Sequence, residues 1–343
     1  MIREAIAAAV AGQSLSREDA ITVMREIMAG EATPAQLGAF LTALRLKGES
    51  TEEIAGMATV MRELSLHVRV AGPLLDSVGT GGDGKNTFNI STATAFIAAA
   101  AGLRVAKHGN RAASGTCGSA DVLEALGVRI DLPPEGVARC IEEVGLGFMF
   151  APVFHPAMRH AGPVRREIGI RTVFNILGPL TNPAGAQCLL LGVAYPELGE
   201  QMAEVLRLLD THHALVVHGE DGTDEITLSG NTTVWELLDG VIHKRQIAVA
   251  DTGLPRASIS DIQGGTREEN AATMRRLFDG ERGPIRDVVL LNSGAALVAG
   301  DRASSILQGI EQATQVLDSG EPRRKLAALV ELSQRLGREL GQG

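Results

Sequence analysis

Residues 74–94 read LLDSVGTGGDGKNTFNISTAT, and this stretch decides how the rest of the chain is interpreted. A short apolar run ends in four glycines within six residues, and a polar turn separates them from a small-residue helix predicted from about Ser91. Glycine lets the backbone turn at positive φ and approach an anion closely, while free N–H groups and a helix N-terminus supply positive potential. The stretch therefore predicts a phosphate-binding loop between a strand and a helix.

Two other phosphate-binding motifs fit the same glycines in part. Gly79 to Gly84 satisfies the G-x-G-x-x-G pattern of a dinucleotide-binding fold, and Gly79 to Asn86 satisfies most of a P-loop pattern. The first motif requires a helix that begins at the last glycine and an acidic residue ending the next strand, yet that strand ends in Lys107 and His108. The second requires Ser or Thr where Asn86 stands. The delayed helix disfavours both.

The composition indicates a two-domain protein without a basic surface. The chain has 343 residues, of which 45% are hydrophobic and only 3% aromatic, so aliphatic and small side chains must form its core. Its formal net charge of −9 disfavours nucleic-acid binding, which normally needs a basic face. The start MIREAIAAAVAG lacks a signal-peptide pattern, no apolar run reaches the ~18 residues of a membrane span, and the three cysteines are widely spaced. We expect a soluble, cytoplasmic protein.

The first seventy residues carry the signals of helices. Ser16, Thr33 and Ser50 each precede an acidic or amide side chain by three positions, as helix N-caps do. Gly30 and Gly48 follow the helical runs as stops. We expect this part, 1–70, to form a small all-helical domain used for packing or dimerisation.

From about Leu74 short apolar strands alternate with amphipathic helices, which predicts βαβ units and a mainly parallel sheet. The fold class is therefore α/β: a small all-helical N-terminal domain plus a larger α/β domain with a mainly parallel central sheet flanked by helices. Segment 160–185 is rich in helix formers and basic residues, and we expect it to return to the helical domain, leaving 71–160 and 186–343 as the α/β domain. The predicted strands are LLDSV (74–78), LRVAK (103–107), FMFA (148–151), CLLLGVA (188–194), ALVVHG (214–219) and DVVLLNS (287–293), with helices such as SADVLEALG (119–127) and PELGEQMAEVLRLLD (196–210) between them.

Three of the predicted strands end in polar loops. The first loop is the glycine stretch, the second contains Lys107, and the third carries the adjacent carboxylates of Asp224 and Glu225. Because the carboxyl ends of parallel strands share one edge of a sheet, these loops should face one cleft. Glycine N–H groups and a lysine suit phosphate, and paired carboxylates with a serine hydroxyl suit Mg²⁺. The pattern predicts a site for a phosphorylated, pyrophosphorylated sugar with its metal.

Five segments carry a resemblance to a known family, in the family's order and spacing and over most of the chain. They are GTGGDGKNTFNIST (79–92), KHGNRAAS (107–114), GSADVLEALG (118–127), APVFHPAMRHAGPVRREIGIRTVFNILGPLTNP (151–183) and HGEDGTDEI (218–226). They resemble the anthranilate phosphoribosyltransferase family, which has a type IV phosphoribosyltransferase-like fold. The resemblance implies Mg²⁺-dependent transfer of the phosphoribosyl group from 5-phosphoribosyl 1-pyrophosphate (PRPP) to anthranilate in tryptophan biosynthesis. It also implies a pair of Mg²⁺ ions per active site and a homodimer.

The resemblance further implies individual residue roles. Arg165 would hold the carboxylate of anthranilate, which a guanidinium fork matches, and His108, His155 and Pro179 would lie near its ring or entry path. Lys107 would contribute electrostatically. PRPP would contact Gly79, Gly82, Asp83, Thr87, Asn89, Ile90, Ser91, Thr92, Lys107, His108, Gly109, Asn110, Arg111, Ala112, Ala113, Ser114, Gly115 and Ser119; anthranilate would contact Gly79, Asn110 and Arg165; Mg²⁺ would be bound by Ser91, Asp224 and Glu225.

One loop departs from the family's pattern. The family often has S-S-K-S-G after the KHGN block, whereas this chain has Ser114-Gly115-Thr116-Cys117-Gly118. A lysine of that loop is therefore missing. We expect the change to affect affinity for the pyrophosphate and to leave the reaction class intact, because the backbone cradle and the metal ligands remain.

Two rival functions fit parts of the sequence. A pyrimidine nucleoside phosphorylase shares the helical-plus-α/β architecture, but the KHGN block, the acidic pair and Arg165 favour the transferase. A non-catalytic relative that binds nucleic acid would show a basic surface and eroded metal ligands, and this chain shows neither. The sequence offers no nucleophile, base and orienting group in a triad pattern, so no covalent intermediate is expected.

Overall fold

A seven-stranded sheet lies at the centre of the computed structural model, which describes residues 1–112 and 115–341. The sheet has the order β3-β2-β1-β4-β5-β6-β7; it is parallel from β3 to β5, and β6 and β7 are antiparallel. The parallel strands therefore open their carboxyl ends on one edge, where ligands bind in sheets of this kind. The strands are β1 (Leu75–Gly79), β2 (Val105–Gly109), β3 (Leu146–Phe150), β4 (Cys188–Gly192), β5 (His213–Gly219), β6 (Thr232–Leu238) and β7 (Val241–Ile247).

Helices pack on the sheet through two buried hydrophobic clusters, which confirms the predicted fold class. Within the described ranges, no helix is both long enough and apolar enough to cross a bilayer. The helices are α1 (Ile2–Val10), α2 (Arg17–Met28), α3 (Pro34–Lys47), α4 (Thr51–Glu63), α5 (Ile90–Ala100), α6 (Ser119–Leu126), α7 (Pro134–Val144), α8 (Ala151–Phe154), α9 (Gly162–Ile168), α10 (Phe174–Leu177), α11 (Glu197–Leu208), α12 (Arg267–Phe278), α13 (Pro284–Ala299), α14 (Ile306–Asp318) and α15 (Glu321–Glu339).

The three predicted N-caps begin helices as the sequence indicates. The side chain of Ser16 accepts a hydrogen bond from the backbone N–H of Asp19 at the start of α2. Thr33 and Ser50 form complete capping boxes at the starts of α3 and α4. Each box satisfies backbone N–H groups that a first helical turn leaves without partners.

Segment 160–185 contributes to the same buried cluster as the N-terminal helices. Ala161, Val164 and Leu177 are buried together with Phe40 and Leu41 of α3. That cluster also includes one face of β4 and β5, so it joins the helices to the sheet. The assignment of this segment to a discontinuous helical domain stays a prediction.

One predicted strand is wrong. DVVLLNS, residues 287–293, lies inside α13, whose residues from Val288 to Ala299 are buried on every face. An apolar run of this length fits a buried strand and a buried helix equally well when its periodicity alone is read. Pro284 at the first turn of α13 and Gly300 at its end are the helix signals that decide the matter.

The hairpin of β6 and β7 was not predicted from the sequence, although its turn carries a recognisable signal. Asp239 and Gly240 join the two strands, with φ of 49° and 81°. A two-residue turn with two positive φ values favours the sequence Asp-Gly, and the twist of such a turn matches that of the flanking strands. Strand β7 is difficult to predict because its sequence is mostly exposed and charged and has little alternation of apolar and polar residues.

A buried ion pair joins α3 to α4 in the N-terminal helices. The side chain of Glu53 is fully buried and accepts hydrogen bonds from Lys47 Nζ at 2.9 Å and from the backbone N–H groups of Leu15 at 2.9 Å and Ser50 at 2.7 Å. The carboxylate is thus paired and fully hydrogen-bonded, as a buried charge must be.

We predict that Glu53→Gln lowers the free energy of unfolding by about 3 kcal/mol, because it leaves the Lys47 ammonium buried without its counter-ion. Urea denaturation followed by circular dichroism measures the change. Glu52→Gln, at an exposed position of the same helical turn, is the control and should change stability by less than about 0.5 kcal/mol. Equal effects of the two substitutions would contradict the prediction.

Candidate active site

The glycine stretch forms a loop between the carboxyl end of β1 and the start of α5. Gly79 is the last residue of β1, and α5 begins at Ile90, close to the predicted start at Ser91. The loop turns at Gly81 with φ of 62° and at Gly82 with φ of 76°. These conformations cost glycine little, and they bring backbone N–H groups to the open edge of the sheet.

The loop after β5 places Asp224 against the glycine loop. The N–H of Gly81 donates a hydrogen bond of 2.7 Å to Oδ2 of Asp224. A Cβ atom on Gly79 would overlap that oxygen, so only glycine allows the carboxylate to approach so closely. The first and third of the three polar loops therefore meet at the sheet edge.

Three carboxylates lie close together at this edge, and two of them, Asp224 and Glu225, have raised pKa values. Burial and the charge of Asp83 raise the pKa of Asp224 to about 6. Burial and the charge of Asp224 raise the pKa of Glu225 well above its usual value, while Lys107 opposes the shift. The backbone N–H of Ser91 also faces the Glu225 carboxylate and lowers its pKa. Ser91, Asp224 and Glu225 thus share one locality.

This group of oxygens fits a divalent cation. Oδ2 of Asp83 is buried and has no hydrogen-bond partner within residues 1–112 and 115–341, and its neighbour Asp224 carries like charge. A bound Mg²⁺ would neutralise that repulsion. Among the described residues, no group of three or more His, Cys, Asp and Glu side chains is arranged to hold a metal ion by itself. Mg²⁺ usually takes few protein oxygens and keeps water and substrate phosphate as its other ligands.

Lys107 lies behind the glycine loop rather than at its surface. Its side chain is almost fully buried on β2, and Nζ donates to the carbonyl of Ser77 and to Oγ of Ser91, the latter at 3.3 Å. Burial lowers the pKa of Lys107, and the carboxylates of Asp76 and Glu225 oppose that shift. In this position the ammonium orients Ser91 and places positive potential beneath the loop.

Asp76 is a buried acid of β1 that sequence reasoning missed. Burial raises its pKa to about 6, and the charge of Lys107 opposes the rise. Its carboxylate accepts hydrogen bonds from Asn182 Nδ2 at 2.7 Å and from the N–H of His108 at 3.3 Å. A lone acidic residue in the apolar run LLDSV was the available signal, because a buried carboxylate needs partners.

The loop after β2 is tied to the start of α6. A Cβ on Gly109 would overlap Oγ of Ser119, and this hydroxyl donates to the carbonyl of Asn110 at 3.3 Å. The Asp121 carboxylate accepts hydrogen bonds from the N–H groups of Ala112 at 3.0 Å and Gly118 at 2.9 Å. Of the predicted PRPP contacts in this loop, Ala113 and Ser114 lie outside the described residues.

Arg111, another predicted PRPP contact, is engaged by acidic side chains of α6. Its guanidinium donates to Glu124 at 2.9 and 3.1 Å and to Asp121 at 3.0 Å. A contact between Arg111 and substrate would have to compete with these ion pairs or use the remaining donors. Its role stays a prediction.

The C-terminal half of the chain braces the end of the glycine loop. Thr87 bridges to Gln263 in antiparallel fashion. The Asn89 side chain donates to the carbonyl of Cys117 at 3.0 Å and accepts from Asn270 Nδ2 of α12 at 2.9 Å. Asn270 was not predicted, because nothing near it in the sequence indicates a site. The other predicted loop residues are Ile90 and Thr92, both buried in α5, and Gly115, which is exposed.

A pair of neutral histidines lies on the other side of β2. The ring centroids of His108 and His155 are 5.0 Å apart, and Nδ1 of His108 lies 3.2 Å from the carbonyl of Gly178, next to Pro179. Burial lowers the pKa of His108 to about 3 and that of His155 to about 4, with the neighbouring ring a further cause at His108. Both rings are therefore uncharged at neutral pH and suit an aromatic neighbour.

Arg165 lies on α9 with its guanidinium over the ring of Phe174, 5.0 Å from the ring centroid. The side chain is half-buried, and burial lowers its pKa. No ion pair or hydrogen bond occupies the guanidinium within the described part of the chain. No hydrogen bond joins it there to Gly79 or Asn110, so its grouping with them stays a prediction.

Comparison with known proteins identifies the class that this architecture represents. Two glycosyl transferase family models match the chain, the helical bundle domain over residues 3–65 and the α/β domain over residues 71–323. Their order is the order of the helices and the sheet described above.

Relatives of known name cover the chain almost completely. An anthranilate phosphoribosyltransferase from Dehalococcoides mccartyi is 56% identical over 98% of this chain and 99% of its own length. The structure of that enzyme from Thermus thermophilus has a TM-score of 0.91 and 51% identity over 96% of this chain and 99% of its own. The Saccharomyces cerevisiae enzyme in complex with PRPP and Mg has a TM-score of 0.87 and 29% identity over 94% of both chains. The chain belongs to the anthranilate phosphoribosyltransferase family.

From the neutral histidine pair we predict how the free energy of unfolding changes at acidic pH. His155 protonates near pH 4 in the folded protein but near pH 6.5 when unfolded, so protons favour the unfolded chain between these values. The stability present above pH 6.5 should be lost as the pH falls towards 4, by up to about 1.4 kcal/mol per pH unit for this residue. His155→Gln should remove that contribution.

Urea unfolding at a series of pH values measures this effect as the difference between the wild type and the variant. His67→Gln, at an exposed position, is the control. If the wild type and His155→Gln lose stability in parallel from pH 6.5 to 4, the imidazole is already charged in the folded protein.

Proposed function

We propose that this protein catalyses the Mg²⁺-dependent transfer of the phosphoribosyl group from PRPP to anthranilate. The products are N-(5-phosphoribosyl)anthranilate and pyrophosphate, and the place of the reaction is tryptophan biosynthesis. The observation that carries the proposal is the hydrogen bond from the Gly81 N–H to Asp224, because it joins a phosphate-binding loop to the acidic pair expected to hold the metal. Membership of the family supplies the identity of the two substrates.

The proposed reaction needs no covalent intermediate. The amine nitrogen of anthranilate forms a bond to C1 of the ribosyl group as the bond from C1 to pyrophosphate breaks, and the amine loses one proton. When bound, Mg²⁺ neutralises the developing charge of the leaving group. The backbone N–H groups of the glycine loop stabilise the same charge, and the buried ammonium of Lys107 adds positive potential beneath Ser91.

The second substrate would lie on the histidine side of β2. Uncharged His108 and His155 present an apolar surface to the aromatic ring, and Arg165 supplies a guanidinium fork for the carboxylate. Catalysis then depends on holding the amine in line with the bond that breaks. The placement of the aromatic ring, the carboxylate and the amine is part of what we propose.

The central test is an anthranilate fluorescence assay. We expect the fluorescence to fall only when PRPP and Mg²⁺ are both present, because the transferred group changes the amine. Arg165→Ala should raise the KM for anthranilate by roughly tenfold or more, because a charge-assisted hydrogen bond to the carboxylate is lost. The KM for PRPP should change little. Arg166→Ala, at the exposed neighbouring position, is the matched control.

A second arm of the assay examines the acidic pair. Asp224→Asn combined with Glu225→Gln should lower kcat far more than it changes the KM for anthranilate, and added Mg²⁺ should not restore the rate. An unchanged turnover would remove the metal role from these residues. Phosphorolysis of pyrimidine nucleosides without reaction of anthranilate would favour the phosphorylase instead.

We also propose a homodimer formed through the N-terminal helices, a cytoplasmic location and a pair of Mg²⁺ ions per site. Leu46 at the end of α3 and Val10 at the end of α1 are 84% and 74% exposed, the highest values among the exposed large apolar side chains of the described residues. Apolar side chains left so open favour burial against a partner. The thiols of Cys117, Cys140 and Cys188 are free, as is usual in a reducing compartment.

If the N-terminal helices form the dimer interface, we expect Leu46→Glu to shift the protein towards monomer, because the substitution would bury a carboxylate in that interface. Sedimentation velocity should give twice the 36.0 kDa chain mass for the wild type and the single mass for the variant at the same concentration. Leu307→Glu, at an exposed position on α14, should leave the mass unchanged. A wild-type monomer would contradict the dimer.

A further inference from the structure

Arg171 reaches from the segment between α9 and α10 onto the glycine loop. Its Nη1 donates a hydrogen bond of 3.1 Å to the carbonyl of Gly81. The N–H of the same glycine donates to Asp224 at 2.7 Å. The two peptide groups that flank the Cα of Gly81 are therefore held from separate parts of the chain, one by a guanidinium and the other by a carboxylate.

Gly82 is what allows the guanidinium to lie there. A Cβ atom on Gly82 would overlap Nη1 of Arg171 and would be 2.6 Å from its Cζ. Any other residue at this position would displace the arginine as well as adopt an unfavourable φ of 76°. The glycine of the loop and the arginine of the distant segment are thus complementary in shape.

The charge of Arg171 is directed at the loop rather than at an acid. No ion pair with an Asp or Glu side chain engages it within the described ranges, and Nη2 is buried there without a hydrogen-bond partner. Cζ of the guanidinium lies over the ring of Tyr195, 5.4 Å from its centroid. A half-buried guanidinium held over an aromatic ring keeps its orientation at low entropic cost.

The remaining side of Arg171 borders a cavity of about 170 Å³. Thr172 and Tyr195 line this cavity, and so do Arg45 in the last turn of α3 and Glu49 just after that helix. Arg171 thus lies where the N-terminal helices approach the sheet edge. Its hydrogen bond to the Gly81 carbonyl links this region directly to the glycine loop.

We propose that Arg171 is a positioning residue for the pyrophosphate end of PRPP. It holds the carbonyl of Gly81 so that the N–H of Gly82, on the opposite side of the same planar peptide group, faces the substrate. It also adds positive charge near the Asp224 carboxylate, which would hold the metal. This inference rests on the proposed function, since it names a residue that serves the same site.

Arg171→Gln tests the proposal because it removes the charge and the rigid fork while keeping a polar side chain. We expect the KM for PRPP to rise by roughly tenfold to a hundredfold, as for a lost hydrogen bond to a charged donor, with the KM for anthranilate changed by less than about twofold. Arg171→Lys keeps the charge and should recover part of the loss. Arg166→Gln is the control.

Gly82→Ala tests the same contact from the other side. It should displace the guanidinium and raise the KM for PRPP in the same way, whereas Gly185→Ala controls for the backbone effect alone. Gly185 has a similar φ of 63° and nothing within 4 Å of a built Cβ. In the double variant Arg171→Gln with Gly82→Ala the losses should be clearly smaller than the sum of the two, because one contact is lost only once.

Calorimetric binding of inorganic pyrophosphate with Mg²⁺ gives a readout that does not depend on turnover. Arg171→Gln should weaken this binding by the same factor as the KM for PRPP, with the urea midpoint near that of Arg166→Gln. Unchanged pyrophosphate binding, equal changes in both KM values, or additive losses in the double variant would overturn the role of Arg171. A wild type inactive with anthranilate would instead overturn the proposed function.

Discussion

The candidate site depends on carboxylates that lie directly beside the glycine loop, which we propose binds phosphate. Asp224 accepts a hydrogen bond from Gly81 inside the glycine loop, and its neighbours Asp83 and Glu225 carry the same charge. Without cations this arrangement would repel a pyrophosphate. Lys107 supplies one positive charge from below, and burial of that ammonium is tolerated because the carboxylates of Asp76 and Glu225 lie near it. Burial and the neighbouring acids raise the pKa of Asp224 and of Glu225, and a metal bound there with its substrate would offset both effects.

The parallel sheet makes this proximity possible at little cost. Gly79 at the end of β1 lies level with Gly192 at the end of β4, and a Cβ on Gly192 would overlap the carbonyl oxygen of Asp224. Two adjacent strands thus end in glycines where the acidic loop passes across them. The helices on either face are fixed by conventional caps and by apolar packing, so the unusual local features are confined to the edge that the loops share.

How far the sequence predicts such a site can be judged from particular residues. Gly79 to Gly84 and the Asp224–Glu225 pair have distinctive local patterns, so the loops and their common edge follow from strand order and the parallel rule. The buried asparagines are different: Asn182 holds Asp76 and Asn270 holds Asn89 across more than a hundred residues of chain, and no local pattern reports such contacts. Arg171 escapes prediction for the same reason, because its partner Gly81 lies far away in the sequence. The prediction of residues 287–293 as a strand is wrong for a different reason. Burial on every face removes the periodicity by which a helix is distinguished from a strand.

The pleat of β2 separates the two halves of the site. Lys107 and His108 are consecutive, so their side chains point to opposite faces of the sheet. Lys107 meets Ser91 on the side of α5, where charge is concentrated, whereas His108 meets His155 and Gly178, where both rings are neutral. In the proposed function, this alternation along β2 places the polyanion on one face of the sheet and the aromatic ring on the other. A slip of β2 by one residue would bury the imidazole among the carboxylates and leave the ammonium beside a histidine, so the register against β3, fixed from Val105–Leu146 to Gly109–Phe150, is itself a determinant of the proposed chemistry.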